Sequence, residues 1–329
     1  MSEYTVITTI HSPTEAVLRH AGDPGRKLVI VADQKTPEIS LATPNAVVLD
    51  MKWQSRTQFL FSKKCPMNHY CRKNIGYLFA VGEGATSILD TDDDNMPYRE
   101  VSLRFETRGK KCDLVSGPKF VNVYRLFSDR FLWPRGFPLG WIKHPQEIRS
   151  REGSPRGVAL VQGLADGDTD VDALYRLTIG RTVKFRRRRP VILGPGTYCP
   201  VNSQSTMWHK EAFPYLYLPV TVSFRATDIL RGYVAQRGLS AMHRKVAFVS
   251  PVVLQKRNQH NLMKDLVDEI ELYVHTEKLV ASLDGTRLCG RPFDDIREMY
   301  RSLVRDNLVR GEELDTLESW VSDLARLGK

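Results

Sequence analysis

Along the first 95 residues, short continuous apolar runs alternate with segments whose apolar positions recur at helical spacing. Residues 4–10 (YTVITTI), 27–33 (KLVIVAD), 46–50 (AVVLD) and 86–90 (TSILD) read as strands. Between them, residues 12–22 (SPTEAVLRHAG) offer Ser12 as an N-cap, Pro13 at the first helical position, Glu15 three residues on, and Gly22 as a stop. Residues 71–85 carry Ile75, Leu78, Phe79 and Ala80 at helical spacing, and Gly82 and Gly84 end the segment. Strands that are apolar throughout, separated by helices, need covering on both faces. That pattern predicts an α/β fold with a mostly parallel sheet. Ligands of such sheets bind beyond the carboxyl ends of the strands, where Asp33 and the acidic residues at 90–94 fall.

The pattern then changes. Residues 131–157 are rich in Pro, Gly and aromatics and read as a long surface loop or a small excursion. Residues 246–255 are strand-like. From Asn261 onward the period is helical: Leu262, Leu266 and Ile270 share one face, Ile296, Met299, Tyr300 and Leu303 another, and Trp320, Leu324 and Leu327 continue it. The division expected is an α/β domain over residues 1–260 and a helical extension, 261–329, packed on it.

A chain of 329 residues with 42% apolar content can bury a sizeable core. Lys and Arg exceed Asp and Glu by 48 − 38 = 10, which favours anionic partners: nucleic acid, phosphate-bearing ligands or an acidic membrane surface. The densest basic run, Arg186 to Arg189, is either part of such a surface or a solvated strand edge blunted by charge. No nucleic-acid motif accompanies it, so nucleic acid is not an expected partner. No apolar run reaches the ~18 residues that span a bilayer. With no signal-peptide pattern and five scattered cysteines lacking CxxC pairs, the expected compartment is cytoplasmic, with peripheral membrane contact and oligomeric state left open.

One stretch asks for chemistry. In residues 87–95 (SILDTDDDN) an apolar run stops at four carboxylates within five positions. Such charges are either screened by water in a solvated loop or offset by a divalent cation. Mn²⁺ and Mg²⁺ prefer carboxylate oxygens, and Mg²⁺ is commonly held by one or two of them plus substrate phosphates. The position after a strand of a parallel sheet favours the cation. The D-x-D spacing of Asp90 and Asp92 lets one carboxylate meet a sugar hydroxyl while the other reaches the metal. An EF-hand is excluded, because its required Gly is missing.

Residues 73–95 (KNIGYLFAVGEGATSILDTDDDN), 223–236 (SFRATDILRGYVAQ) and 255–270 (QKRNQHNLMKDLVDEI), with VITTI and LVIVADQKTP near the start, together resemble the glycosyltransferase-like domain of the STELLO proteins. More distantly they are similar to the reversibly glycosylated polypeptides, which act on nucleotide-activated arabinose. The resemblance implies a GT-A fold and metal-dependent transfer of a hexosyl or pentosyl group from a nucleoside-diphosphate sugar, UDP-sugars favoured, to an unknown carbohydrate or other hydroxyl acceptor. The alternatives are a nucleotide-sugar mutase, as in the more distant relatives, and a non-catalytic scaffold of the same fold.

By that resemblance Asp33, with Thr8 and Thr9, would meet the nucleoside; Asp228 would be the base for the acceptor hydroxyl; and His260 would complete the metal shell begun by Asp92 and Asp94. Asp90 is the expected ribose or sugar contact. Lys73 and Asn74, a cation and an amide at a helix N-terminus, suit a diphosphate, as does Arg257. The neutral run 202–206 (NSQST) is expected to face sugar and acceptor. Each has a structural alternative: a cap or loop acid for Asp33 and Asp228, ordinary strand residues for Thr8 and Thr9, a surface Lys and a cap for Lys73 and Asn74, an exposed or structural His260, a plain polar turn at 202–206.

Overall fold

The computed structural model describes residues 2–41, 43–98, 105–145, 147–257 and 261–328. Its first part follows the apolar runs. Strands β1 (Ser2–Thr9), β2 (Lys27–Ala32), β3 (Ala46–Leu49) and β4 (Ala85–Thr91) lie parallel in the order β3-β2-β1-β4. Helices α1 (Glu15–Ala21), α2 (Met51–Arg56), α3 (Leu60–Lys64) and α4 (Lys73–Gly82) connect them. The cap of α1 is Thr14, not Ser12: its hydroxyl accepts the Val17 N–H. Helix α4 approaches the sheet closely because residue 76 is Gly. A Cβ there would stand 2.6 Å from side-chain carbons of Val6 and Val31, well inside contact distance.

The sheet continues through β10 (Ser205–His209), antiparallel to both β4 and β8 (Val158–Gly167), and then β11 (Lys245–Gln255), parallel to β8. Beyond them lie β9 (Val191–Leu193), β6 (Cys112–Ser116) and β7 (Arg149–Gly153), while β5 (Asn95–Pro97) pairs with the end of β11. The α/β expectation is met. The parallel strands β1 to β4 set the acidic residues at their carboxyl ends, and β10 brings a reversed strand beside β4.

Helices α5 (Val123–Phe127), α6 (Ala173–Thr178) and α7 (Thr227–Ala241) cover the second part. Helices α8 (Leu262–Asp268), α9 (Ile270–Gly285), α10 (Pro292–Arg305) and α11 (Glu313–Leu327) follow. The last of these share the main core. Trp320 packs edge-on against Phe61, and its indole N–H reaches the Pro214 carbonyl at 3.1 Å. The Asp323 carboxylate accepts the N–H groups of Leu60 and Phe61, supplying α3 with the N-terminal cap its own sequence lacks.

Two expectations change. Residues 132–137 are not a surface loop: Leu132, Trp133, Arg135 and Phe137 are buried, because Trp133 and Arg135 find carboxylates inside, on Asp172 and Asp170. The basic run is half-exposed and paired with acids. Arg186 pairs with Asp129, Arg187 with Asp166, and both Arg188 and Arg189 with Asp113.

Candidate active site

At the carboxyl ends of β1, β2 and β4 lies a cavity of about 440 Å³. Thr8 and Thr9 come from the end of β1, Asp33 from the residue after β2, and Asp92, Asp93 and Asp94 from the turn after β4. Asn68, His69 and Tyr70 enter from the loop before α4, and Arg135 from the buried loop. Phe224, Arg225 and Asp228 enter at the start of α7, and Gln255 and Arg257 at the end of β11.

Asp90, on β4, and Asp92, in the turn after it, both meet the Lys73 ammonium, at 2.7 and 3.0 Å, but lie at different depths. Asp90 is fully buried between Lys73 at 2.7 Å and Arg231 at 2.6 Å. Burial pushes its carboxyl up, but the two cations outweigh that and hold it below the usual carboxylate range. Arg231 in turn donates to Ser203 and Tyr77 and lies over Trp208. Asp90 is therefore an internal counter-ion and does not line the cavity.

Lys73 is spent in the same place. Its ammonium donates to the Thr91 carbonyl and to Asp92, 3.0 Å away, and is fully buried. Asn74 exchanges hydrogen bonds with the backbone of Leu218. Neither lines the cavity. The expected diphosphate contacts are structural here, because both side chains find partners inside the helix–sheet layer.

Asp92, with its side chain about a third exposed (31%), reaches the cavity. Its Oδ1 accepts from the Tyr70 hydroxyl at 2.6 Å and from Lys73. Burial, with Asp94 and Asp90 nearby, pushes its carboxyl up to about 6 against the pull of Lys73. Asp93 accepts the Thr9 hydroxyl at 2.5 Å. Asp94 accepts from Gln255 at 3.0 Å, and burial raises its carboxyl as well. Among the described residues no three His, Cys, Asp or Glu side chains converge as a metal cage. His260 lies outside the described residues.

At the other end of the cavity the Asp33 carboxylate receives the N–H groups of Gln34, Asn68 and His69 at 2.7, 2.9 and 3.2 Å. It holds in place a turn in which Asn68 adopts a left-handed φ of 53°. Burial lowers the His69 pKa. Thr8 donates to the Val31 carbonyl at 3.0 Å.

The facing wall is cationic. Arg135 forks between Asp170 and Asp228. Arg225 is held by Glu269, at 2.5 Å, which also accepts from the Ala173 N–H and the Tyr273 hydroxyl. Arg257 differs: its side chain is 10% exposed, it pairs with Asp170 at 3.9 Å, and among the described residues its Nε and Nη1 have no hydrogen-bond partner. Burial, with Arg176 and Arg225 close by, lowers its pKa to about 10.

Asp228 accepts four hydrogen bonds, two from Arg135 and one each from the N–H groups of Ser203 and Ile229. That uses the ordinary capacity of an ionised carboxylate. The run 202–206 is buried beside β8 and β10, where Asn202 and Thr206 bond to Gln162; it does not line the cavity.

A family model described as STELLO glycosyltransferases matches residues 225–329, which begin at the cavity wall with Arg225. Over 348 aligned positions the chain is 27% identical to "Probable glycosyltransferase STELLO1" and 28% identical to "Probable glycosyltransferase STELLO2", both of Arabidopsis thaliana. The chain resembles the STELLO glycosyltransferases. The alignments cover 99% of this chain but 44% and 45% of those STELLO proteins, so it spans less than half of their length. A glucosyl-3-phosphoglycerate synthase structure from Mycobacterium tuberculosis, with phosphoglyceric acid, aligns at a TM-score of 0.38 and 12% identity, covering 86% of this chain and 78% of that one. Among the described residues no helix is long and apolar enough to cross a membrane.

Sequence reading missed Tyr70, Arg135 and Arg225 as cavity residues. Arg135 was hidden in an aromatic, Pro-rich stretch. Tyr70 lies just before residues 73–95 and Arg225 within residues 223–236, and their roles depend on Asp92 and Glu269, distant in sequence.

Proposed function

We propose that this chain transfers a glycosyl group from a nucleoside-diphosphate sugar, UDP-sugars favoured, to a hydroxyl acceptor with the help of Mn²⁺ or Mg²⁺. One observation carries the reading. The cavity sets the carboxylates of Asp92, Asp93 and Asp94 and the guanidinium of Arg257, which is only loosely paired with Asp170, around one space at the strand ends, where α/β sheets take their ligands. Similarity to proteins named probable glycosyltransferases supports it.

The residues present fit a hard cation. Asp92 is oriented through Oδ1 and Asp94 through Oδ2, and both carboxyls are raised by burial, as acids short of counter-charge are. An all-oxygen donor set suits Mg²⁺ or Mn²⁺ held by one or two carboxylates and completed by phosphates and water. Asp92 and Asp94 would hold it, with His260 as the further candidate. When bound, such a cation supplies positive charge to the departing diphosphate.

The protein's own groups do the rest. Arg257 offers unpaired donors to a phosphate oxygen, a charge-assisted bond that a carboxylate does not already occupy. Thr8, Thr9 and the turn held by Asp33 line the end left for the nucleoside. Asp228, with its lone pairs committed, positions Arg135 on the wall instead of taking the acceptor's proton.

Calorimetric titration with UDP and with GDP, with and without Mn²⁺, beside Asp92→Ala, tests this. The expected result is UDP binding that needs both Mn²⁺ and Asp92. Absence of binding by either nucleotide would leave the fold as a non-catalytic scaffold. Isomerised nucleotide sugar formed without acceptor would make it a mutase.

A further inference from the structure

Residues 262–285 show two opposite faces. Leu272, Thr276, Leu279 and Val280 are buried. On the other side Met263, Val267, Ile270 and Val274 stand 60%, 65%, 51% and 65% exposed. Their spacing is four, three, four. At 3.6 residues per turn the four Cβ positions fall within about 60° of one another, in a stripe directly opposite the buried face. The chain passes from α8 to α9 at Glu269, and the two faces carry through that junction: Asp265, Glu269, Leu272 and Thr276 are all buried on the inner side.

Single exposed apolar side chains are ordinary, but a contiguous row marks a contact surface. An alternating four-three spacing is that of a helix–helix seam, in which each side chain enters a gap on a facing helix. The flanks of the stripe say which way that helix runs. One flank carries Lys264 and Glu271, seven residues apart and both exposed; the other carries Leu266 and Tyr273. A parallel copy would set Lys264 and Glu271 against Leu266 and Tyr273. An antiparallel copy, about a two-fold axis between Val267 and Ile270, brings like flanks together, so that Lys264 faces Glu271 of the second copy twice over.

We infer that this stripe is the seam of an antiparallel, two-fold contact between two copies of this chain. Val267 packs against Ile270 of the second copy, and Met263 against its Val274. The interface is isologous, so each apolar residue and each charge is used twice. The seam also lies behind the cavity. Glu269, on the inner side of the same turn, holds Arg225 in the cavity wall.

Sedimentation equilibrium at micromolar protein concentrations tests the inference. The expected result is a mass approaching twice that of the chain. Val267→Glu should return it to the monomer with an unchanged circular dichroism spectrum and melting temperature. Lys264→Glu should weaken the dimer several-fold, and adding Glu271→Lys to it should restore the dimer, a rescue that general damage to the fold cannot mimic. A monomer at every concentration overturns the inference, as does a dimer indifferent to Val267→Glu. Stripe-dependent flotation of the monomer with phosphatidylcholine–phosphatidylserine vesicles also overturns it and assigns the stripe to a lipid surface.

Discussion

Arg231 on α7 and Asp90 on β4 meet at 2.6 Å with neither side chain exposed. They join the strand that carries the acidic turn to the helix that begins at the cavity wall. Leaving a buried charge wholly unpaired costs on the order of 3–5 kcal/mol, but without Arg231 the Asp90 carboxylate keeps Lys73 at 2.7 Å. Arg231→Met should therefore destabilise the chain by less than that amount in urea unfolding. A single variant as stable as the parent would show that the pair contributes nothing.

Asp228→Asn separates two tasks. A carboxylate that only positions Arg135 leaves the acid limb of the pH–rate profile in place when it is changed, and lowers kcat/KM to the same degree as Arg135→Met. A general base contributes typically 10² to 10⁴ in rate, so a kcat fall of that size, together with loss of the acid limb, would return Asp228 to the role of base. The four hydrogen bonds it accepts favour the first outcome.

His20 makes stability depend on pH. It is buried in α1, and burial with Arg26 nearby lowers its pKa from 6.5 to about 4. Above 6.5 the ring is neutral whether the chain is folded or not, and it has no effect. Between 6.5 and 4 the unfolded chain takes up the proton first, so stability falls as pH falls, by roughly 3 kcal/mol in total. The acid side of the stability curve should be flatter by that amount in His20→Gln, measured by urea unfolding at a series of pH values. Equal slopes in the two proteins would refute the assignment.

Gly76→Ala sets two effects against each other. Ala favours a helix over Gly by about 1 kcal/mol. The added carbon, however, meets Val6 and Val31 at 2.6 Å, and overpacking of this kind costs typically 1–3 kcal/mol. The melting temperature should fall. A rise would mean that α4 lifts from the sheet without penalty.

Much of the fold was legible because its signals are local. The apolar stretches Leu28–Ala32 and Ile88–Leu89 end in carboxylates, the pattern of strands covered on both faces. The helical period after Asn261 is equally plain. The position of the acidic turn followed from the strand that precedes it. Individual roles did not follow, because they are set by partners far along the chain. Lys73 looked like a phosphate ligand until Asp90 and Asp92 claimed its ammonium. Asp228 reads as a base by sequence, but two of the four hydrogen bonds it accepts come from Arg135, 93 residues earlier. Residues 131–157 read as surface because burying an Arg requires carboxylates that no local pattern reveals.

The two acids of Asp90-Thr91-Asp92 are spelled alike and behave differently. One is an anchor bolt fixed by Lys73 and Arg231, and the other is what the bolt aims. The three-letter spelling is thus only half of a lock whose tumblers lie 17 residues before it and 141 after it. A chain that kept the acids but lost Lys73 or Arg231 would display the same word with its mechanism disconnected. Screening for that mismatch would separate chains that keep this buried triad from those that keep only its spelling.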